Sequence, residues 1–518
     1  MGADGGYGPW PFPNVTPPLS NEGPDRSGAA RSGLTGVLSE CLAGDRVRGW
    51  QWLALSVAVG GFLWLHFFLA GHLIAQTNAD LKTTDQTSYL RMAWESRNDA
   101  LPMRTDAVRN SLWQWLVVHT WLDGRMDDMD WPPARERLEP HFVAGKWFNV
   151  WLTAAFLAVF PFVCARFFPL AATLNLLALA GIGVLLPRAV FFQPEALYFM
   201  LFFACWLCGW RLLLRNPLWL YAALGVLTGV AYLAKPSTAP LLAVFVIAST
   251  IRLVAAFRPR WLGFGEKDAG VWSWRRHLAG LALLALCHGV LILPRAMYAQ
   301  QVYRDPFISM PGYWMWMDDW KREAVPFTIE VNYGKDIHTR SKADLPSFGK
   351  WIAAHGWGAF WRRLGDGTDA KLHSFFAPNK RFINWKTPER WDARLLNNRG
   401  VYLCLPLALL AGLAVARIRR GAAREEWGAG VIGALFGLGA FSIYTLAYGW
   451  YDPIGRGDRF MMTLYLPVLF MLMWGCERLK RRMGTPAASV VYAAVQLLML
   501  AGIATHAVRL VSRPAFTG

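Results

Sequence analysis

Long apolar stretches separated by short charged segments run through most of the chain. An α-helix needs about 20 apolar residues to cross a bilayer, and about eleven stretches approach that length. The predicted membrane helices cover approximately residues 50–75, 147–164, 169–186, 195–210, 217–234, 238–254, 278–294, 401–416, 428–447, 459–474 and 487–507. The pattern therefore predicts an all-α polytopic membrane protein with about 11 transmembrane helices. Its longer polar loops are expected to carry interfacial helices.

Changes in composition divide the chain into regions. Residues 1–49 are rich in Gly, Pro and Ser and lack apolar periodicity, which is typical of a disordered tail. Residues 50–294 and 399–518 hold the apolar stretches and are predicted to form an N-terminal and a C-terminal transmembrane module. The polar segments 76–146, inside the first module, and 295–398, between the two modules, are predicted to be long loops.

The distribution of charge predicts an orientation. Hydrophobic residues make up 54% of the 518 residues and charged residues 17%, which excludes an ordinary soluble protein. Basic residues follow the second, fourth, sixth, eighth and tenth predicted helices, and cytoplasmic loops carry an excess of Lys and Arg. This predicts a protein of the cytoplasmic membrane with its N-terminus inside and its two long loops outside. Arg509 and Arg513, on the predicted outer tail, weakly oppose this orientation. The net charge of +18 reflects these loops and indicates no nucleic-acid partner.

The first outer loop opens with two candidate catalytic carboxylates, Asp80 and Asp85. After them, Tyr89, Met92 and Ala93 are spaced to share one face of a short helix. A carboxylate at the boundary between water and lipid would act as a general base on an acceptor hydroxyl. The alternative interpretation is that both aspartates are solvated charges at a helix end.

Further along this loop, residues 107–122 are predicted to form an interfacial helix with an apolar face. That face would contain Leu112, Trp115, Leu116 and His119. The acidic cluster that follows offers oxygen ligands for a divalent cation, which is the one candidate cofactor. An acidic surface turn explains the same cluster, which consists of Asp127, Asp128 and Asp130.

Candidate phosphate-binding and supporting groups collect on the same predicted face. Arg188 and Glu195 lie between the third and fourth helices, Lys235 ends the fifth, and Arg456 and Arg459 precede the tenth. Arginine suits phosphate because its fork donates two parallel hydrogen bonds. Each group also has a structural interpretation: Arg459 as a snorkelling anchor, Lys235 as a helix-end charge, and Glu195 as a favourable charge at a helix N-terminus.

The second long loop is rich in tryptophan, in the segments 313–320 and 351–363. Aromatic faces can stack on sugar rings. They also anchor interfacial helices, and the sequence leaves both interpretations open.

The segments that carry the candidate site residues resemble motifs of the GT-C superfamily of polytopic glycosyltransferases. Within it, the resemblance is to the family-39-like branch of protein O-mannosyltransferases and lipid A aminoarabinose transferases. The resemblance covers approximately residues 50–475, and its motifs are short. The matching segments are Asp85-Gln-Thr-Ser-Tyr89-Leu-Arg-Met-Ala93, Gln193-Pro194-Glu195-Ala-Leu-Tyr198, Gly225-Val-Leu-Thr-Gly229-Val-Ala-Tyr-Leu-Ala-Lys235-Pro236, and Gly457-Asp-Arg459-Phe460 with Pro467 beyond it.

The resemblance implies a bundle with its N-terminus inside and a catalytic carboxylate in the first outer loop. It implies Asp85 as the base, but relatives often carry Asp-Glu where Gln86 follows Asp85 here, which leaves Asp80 as a substitute. It also implies Arg459 as the phosphate ligand, assisted by Arg456 and Lys235. Glu195 would support the site, and Tyr89 and Arg188 are the remaining candidates for substrate contact.

The sequence thus predicts a membrane glycosyltransferase. It would move a sugar from a polyprenyl-phosphate carrier to a glycan, lipid or protein acceptor at the outer face of the bilayer. The alternative is a transporter or flippase for a lipid-linked sugar, which predicts polar groups along the bundle interior and an internal repeat. A scaffold protein would tolerate replacement of Asp85 and Arg459 one at a time.

Overall fold

The computed structural model shows a bundle of long helices. It describes residues 40–44, 46–77, 85–122, 135–257, 272–334, 337, 339–341, 344–376, 391–419, 428–455 and 459–511. Within these residues there is no strand, and the one isolated β-bridge joins Thr105 to Asn110. The predicted all-α fold of a polytopic membrane protein is confirmed.

Ten helices of the described chain are long and apolar enough to cross a membrane, three of them formed by successive elements, and a shorter apolar helix of 17 residues accompanies them. Together these account for the eleven predicted helices. In chain order they are α1 (Gln51–Gln76), α4 (Arg135–Cys164), α5 (Leu170–Ala189), α6 (Glu195–Arg215), the shorter α7 (Leu218–Ala234), α8 (Ala239–Phe257), α9 (Trp274–Tyr303), α13 (Trp391–Arg419), α14 (Gly428–Trp450), α15 and α16 (Arg459–Met462 and Tyr465–Met483), and α17 (Pro486–Val511).

The remaining helices lie in the two long polar segments, where the sequence predicts interfacial helices. They are α2 (Gln86–Glu95), α3 (Leu112–Val117), α10 (Met310–Trp314), α11 (Val325–Gly334) and α12 (Phe348–Phe376). The predicted shared face of α2 is confirmed, because Tyr89, Met92 and Ala93 are all buried.

Several helices are longer than the apolar stretches that predict them. Helix α4 begins at Arg135, twelve residues before the expected start at 147, and α9 continues through Pro294 to Tyr303. Hydropathy marks the apolar part of a helix, whereas backbone hydrogen bonds continue into its polar ends. The long loops at 76–146 and 295–398 are therefore shorter than predicted.

The predicted helix at 107–122 is wrong in its first part and in its buried face. Ala107 has a φ of 65° and lies in the turn closed by the Thr105–Asn110 bridge, so the helix begins only at Leu112. Trp113 is fully buried, whereas His119 is exposed. The turn is built from side-chain hydrogen bonds, which hydrophobic periodicity does not reveal.

A Gly-x-x-x-Gly pattern allows α7 to pack closely against α9. A Cβ added at Gly225 would lie 2.5 Å from the carbonyl oxygen of Leu284, and one added at Gly229 would lie 2.9 Å from Cβ of Leu291. Small residues at such spacing let membrane helices approach closely. The contact fixes the position of α7 and therefore of Lys235, which follows its last residue.

Basic groups of α6 and α16 meet at one end of the bundle. Arg481 donates a hydrogen bond to the carbonyl of Phe167, and the Arg211 guanidinium lies 5.5 Å from the centre of the Phe167 ring. Lys480 donates to the carbonyls of residues 43 and 44. We call this end the Lys480 end. The opposite end, where α1 and α7 end and where Asp85 and Glu195 lie, is called the Asp85 end.

Candidate active site

Asp85 precedes α2 directly and forms an ion pair. Its Oδ1 accepts a hydrogen bond from Nη2 of Arg109 at 2.6 Å, and its side chain is 33% exposed. Arg109 also binds Asp106, at 2.7 Å, and its guanidinium lies 5.2 Å from the centre of the Tyr89 ring. Asp85 is therefore an oriented, half-exposed carboxylate, which differs from a simply solvated charge.

Arg109 remains charged in this position. Burial acts to lower its pKa, but the charges of Asp106 and Asp85 outweigh burial, so the pKa of Arg109 is raised above its ordinary value. The backbone around it is fixed by Asp106, whose Oδ1 accepts from the N–H groups of Val108 and Arg109. The cation that orients Asp85 is thus built on a rigid turn.

A buried lysine holds the chain just before this site. Nζ of Lys146 donates to the carbonyls of Ile74 and Thr77, at 3.0 and 2.8 Å. The carbonyls at a helix C-terminus have no intrahelical partner, so Lys146 stabilises the end of α1 where the chain turns toward Asp85. Asp80, the alternative base, lies outside the described residues.

Glu195 and Lys235 form a second ion pair at the same end. Nζ of Lys235 lies 3.4 Å from Oε1 of Glu195, and the Glu195 side chain is only 2% exposed. The ammonium also lies 4.8 Å from the centre of the Phe460 ring and 5.8 Å from that of Tyr198. A buried carboxylate needs a charged partner, and the aromatic faces add cation–π attraction to the same cation.

The segment before Glu195 is fixed by one amide side chain. Nδ2 of Asn149 donates to the carbonyls of Phe191 and Gln193, both at 2.9 Å, and its Oδ1 accepts from Nε1 of Trp113 at 2.7 Å. Asn149 therefore connects α3 and α4 to the segment that begins α6.

The two ion pairs are connected through Asn110, the neighbour of Arg109. Nδ2 of Asn110 donates to the carbonyl of Tyr232 at 2.6 Å, three residues before Lys235. Its Oδ1 accepts from Nε of the buried Arg295 at 3.1 Å. The turn that carries the cation of the first pair is thus bonded to the helix that carries the cation of the second.

The other predicted site residues are placed less fully. Arg188 lies in the last turn of α5, with its guanidinium 5.2 Å from the centre of the Phe191 ring. Arg459 opens α15, and the structure describes its backbone. Phe460, the next residue, contacts Lys235 through its ring. Arg456 lies outside the described residues.

Several groups that build the site were missed in the sequence. Lys146 and Asn149 interrupt an apolar stretch, and polar groups at membrane depth are usually paired or functional; that was the available signal. For the turn, the signal was the cluster of polar residues before α3. The missed residues are Asp106, Arg109, Asn110, Lys146, Asn149 and Arg295.

The aromatic residues of the second long segment divide into buried and exposed sets. Trp351 is buried and packs edge to face against the buried Trp450 of α14, with ring centres 4.9 Å apart. Trp357 and Trp361 are 56% and 64% exposed on α12. Together with Trp320, which is 40% exposed, these two are exposed enough to contact a sugar or a lipid headgroup.

Within the described chain, no group of three or more His, Cys, Asp or Glu side chains is arranged to hold a metal ion. The acidic cluster of Asp127, Asp128 and Asp130 lies outside the described residues, so a divalent cation stays a prediction.

Comparisons of the chain with protein-family models, with curated proteins and with solved structures find no match. The assignment of chemistry to this site therefore depends on its residues and their geometry.

Proposed function

We propose that the protein is a membrane glycosyltransferase that moves a sugar from a polyprenyl-phosphate carrier to an acceptor hydroxyl or amine. The observation that carries the proposal is that an oriented carboxylate, Asp85, and a half-buried ammonium, Lys235, lie at the same end of an apolar bundle. The hydrogen bond from Asn110 to Tyr232 connects them. Transfer from a lipid phosphate needs a base for the acceptor and a cation for the leaving group.

In the proposed reaction, the oxygen or nitrogen of the acceptor attacks the anomeric carbon of the sugar while Asp85 takes the acceptor's proton. The bond from that carbon to the phosphate oxygen breaks, and the carrier phosphate leaves with the electron pair. Arg109 holds the carboxylate at 2.6 Å and limits its rotation. A fixed base needs less reorganisation in the transition state, which is a usual source of catalysis.

Lys235 binds the donor phosphate, which is already anionic before transfer, and keeps this contact as the phosphate leaves, assisted by Arg459, Arg456 and Arg188. Glu195 pairs with the ammonium, which lies over the ring of Phe460. Ring faces bind a cation more weakly than phosphate oxygens do, so an arriving phosphate would compete well for Lys235. Glu195 also remains a candidate for positioning the acceptor.

The bundle suits a donor with a polyprenyl chain. Ten helices of the described part can cross a bilayer, so the isoprenoid would lie in lipid while its phosphate reaches the Asp85 end. The five basic loops of the sequence favour the cytoplasmic membrane with the Asp85 end outside. Tyr89, whose ring lies beneath Arg109, would contribute to the wall of the acceptor site.

The test is transfer of radiolabelled sugar from a panel of polyprenyl-phosphate sugars by purified protein in lipid nanodiscs. Wild type, Asp85→Asn and Asp99→Asn would be compared. Asp99 is a matched control because it is an ion-paired carboxylate of the same loop, bound to Arg104. We expect transfer by wild type and Asp99→Asn, and none by Asp85→Asn.

Other outcomes redirect the proposal. Full transfer by Asp85→Asn would keep the enzyme and move the base to Asp80 or Glu195. If no variant transfers sugar but the protein moves a fluorescent polyprenyl-phosphate sugar across vesicle membranes, the protein is a transporter.

A further inference from the structure

The second half of α12 lies across the end of α14. Gly356 has a φ of 76° and divides α12 into two parts. In the second part, Arg363, Gly367 and Lys371 recur at intervals of four residues and therefore share one face of the helix. That face is in contact with residues 449–455, which comprise the last two residues of α14 and the turn after it.

The first two contacts are with the backbone of α14. Nε of Arg363 donates to the carbonyl of Trp450 at 3.0 Å. A Cβ added at Gly367 would overlap the carbonyl group of Gly449, so the two backbones touch at this point. Such a close approach requires glycine at both positions. It fixes where along its length α12 meets the end of α14.

The third contact is a buried ion pair. Nζ of Lys371 lies 2.7 Å from Oδ1 of Asp452, and the Lys371 side chain is only 2% exposed. The same ammonium lies 3.5 Å from the carbonyl oxygen of Gly455. A buried ammonium is costly unless it is paired, so this lysine holds the chain at Asp452 and Gly455 tightly.

The segment that Lys371 holds, residues 452–455, is connected to Lys235 through the ring of Phe460. A Cβ at Gly455 would lie 2.6 Å from the Tyr451 ring and 3.4 Å from the Phe460 ring, so the segment packs against Phe460. The Tyr448 ring stacks on Phe460 with ring centres 5.1 Å apart. Phe460 in turn lies beneath the ammonium of Lys235.

We propose that Lys371 is a positioning residue for the proposed transfer. Through Asp452 and Gly455 it fixes the place of Phe460 and hence the place of the Lys235 ammonium that meets the donor phosphate. The proposal rests on the proposed function, and it extends the site to α12, about 135 residues beyond Lys235 in the sequence. Lys371 acts through other residues and is not assigned contact with the substrate.

The experiment compares Lys371→Met, Lys371→Arg, Asp452→Asn and Lys350→Met with wild type in nanodiscs. Lys350 is the matched control because it is an exposed lysine of the same helix. We expect Lys371→Met and Asp452→Asn to raise KM for the polyprenyl-phosphate sugar by about tenfold, with kcat changed less than about twofold. Lys371→Arg should restore most of the affinity, and Lys350→Met should behave as wild type.

A second measurement, independent of turnover, is amide hydrogen exchange over residues 459–465. Exchange should become faster in Lys371→Met and Asp452→Asn and stay unchanged in Lys350→Met. Unchanged KM together with unchanged exchange would overturn the proposal, as would an equal loss of kcat and donor affinity that arginine does not restore. If wild type transfers no sugar, the proposed function fails, while exchange still decides whether Lys371 positions Phe460.

Discussion

The two ends of the bundle use the same kinds of residues for different purposes. At the Lys480 end, Nζ of Lys480 lies over the Tyr492 ring and meets three acceptors: the carbonyls of Ala43 and Gly44 at 2.7 and 3.1 Å, and Oε1 of Glu477 at 2.8 Å. At the Asp85 end, Lys235 meets a carboxylate at 3.4 Å and the faces of two aromatic rings.

This difference separates a structural cation from a candidate binding cation. An ammonium has three donors, and Lys480 has three protein acceptors, which join α16 to the chain that precedes α1. The contacts of Lys235 with rings are weaker than hydrogen bonds to a phosphate. Charge and burial alone do not identify a functional lysine in a membrane protein; the nature of its partners does.

Removal of one carboxylate from each end tests this difference between the ends most directly. Asp85→Asn should lower kcat for sugar transfer by about 10²- to 10⁴-fold, which is the usual contribution of a general base. Glu477→Gln should leave kcat per folded molecule unchanged and lower the folded yield, because it removes the partner of two cations. Initial rates with normalised folded protein would measure both effects.

Equal activity losses in both variants, in proportion to folded yield, would show that Asp85 is structural. The carboxylates at the two ends would then both be structural.

The next largest effect concerns the two lysines. Lys235→Met should lower kcat/KM for the polyprenyl-phosphate sugar by about 100-fold, because about 2.7 kcal/mol of phosphate stabilisation is lost. Lys480→Met should instead lower the free energy of unfolding by about 3 kcal/mol, since Glu477 loses a buried partner. Thermal unfolding in detergent and donor titrations separate the two responses. A large stability loss in Lys235→Met without a kinetic change would contradict the assignment.

A smaller effect is expected from the cation that orients Asp85. Arg109→Lys should lower kcat by about tenfold, because an ammonium cannot bind Asp85 and Asp106 with the geometry of a guanidinium fork. The pKa of Arg109 is raised in the folded protein. A raised pKa gives stability that is complete below the ordinary value of 12.5 and is lost only above it.

Arg109 therefore contributes no pH dependence between pH 5 and about 10. The pH profiles of wild type and Arg109→Lys should consequently be parallel below pH 9 and differ only in height. A new inflection near neutral pH in Arg109→Lys would show that Arg109 does more than orient the carboxylate.

Local patterns in the sequence predicted the helices and the buried face of α2, because hydrophobic periodicity depends on neighbours three and four residues apart. The ion pairs were not predictable in this way. Asp85 and Arg109 are 24 residues apart, and Glu195 and Lys235 are 40 apart, so their meeting depends on how helices pack. The sequence named Asp85, Glu195 and Lys235 as separate candidates, and packing decided their partners.

The turn at Ala107 shows the same limit on a shorter scale. Its φ of 65° follows from the hydrogen bonds of Thr105 and Asp106, which compete with helix formation. An apolar pattern that continues into Leu112 cannot reveal this competition, and the predicted helix therefore began five residues too early.

The smallest expected effect lies between the two ends, where α7 packs against α9. Gly225→Ala should lower the free energy of unfolding by about 1–3 kcal/mol, since the added methyl would lie 2.5 Å from the carbonyl oxygen of Leu284. Gly289→Ala, on α9 and with open space at its Cβ position, is the matched control and should change stability little. Thermal unfolding in nanodiscs would measure both.

At its start, α7 is held by the hydrogen bond between Tyr221 and Asn216, and Lys235 follows its last residue. A shift of α7 should therefore reduce transfer only as far as the shift moves Lys235. A loss of transfer in Gly225→Ala that exceeds its loss of stability would therefore show that the spacing between α7 and α9 sets the position of the cation.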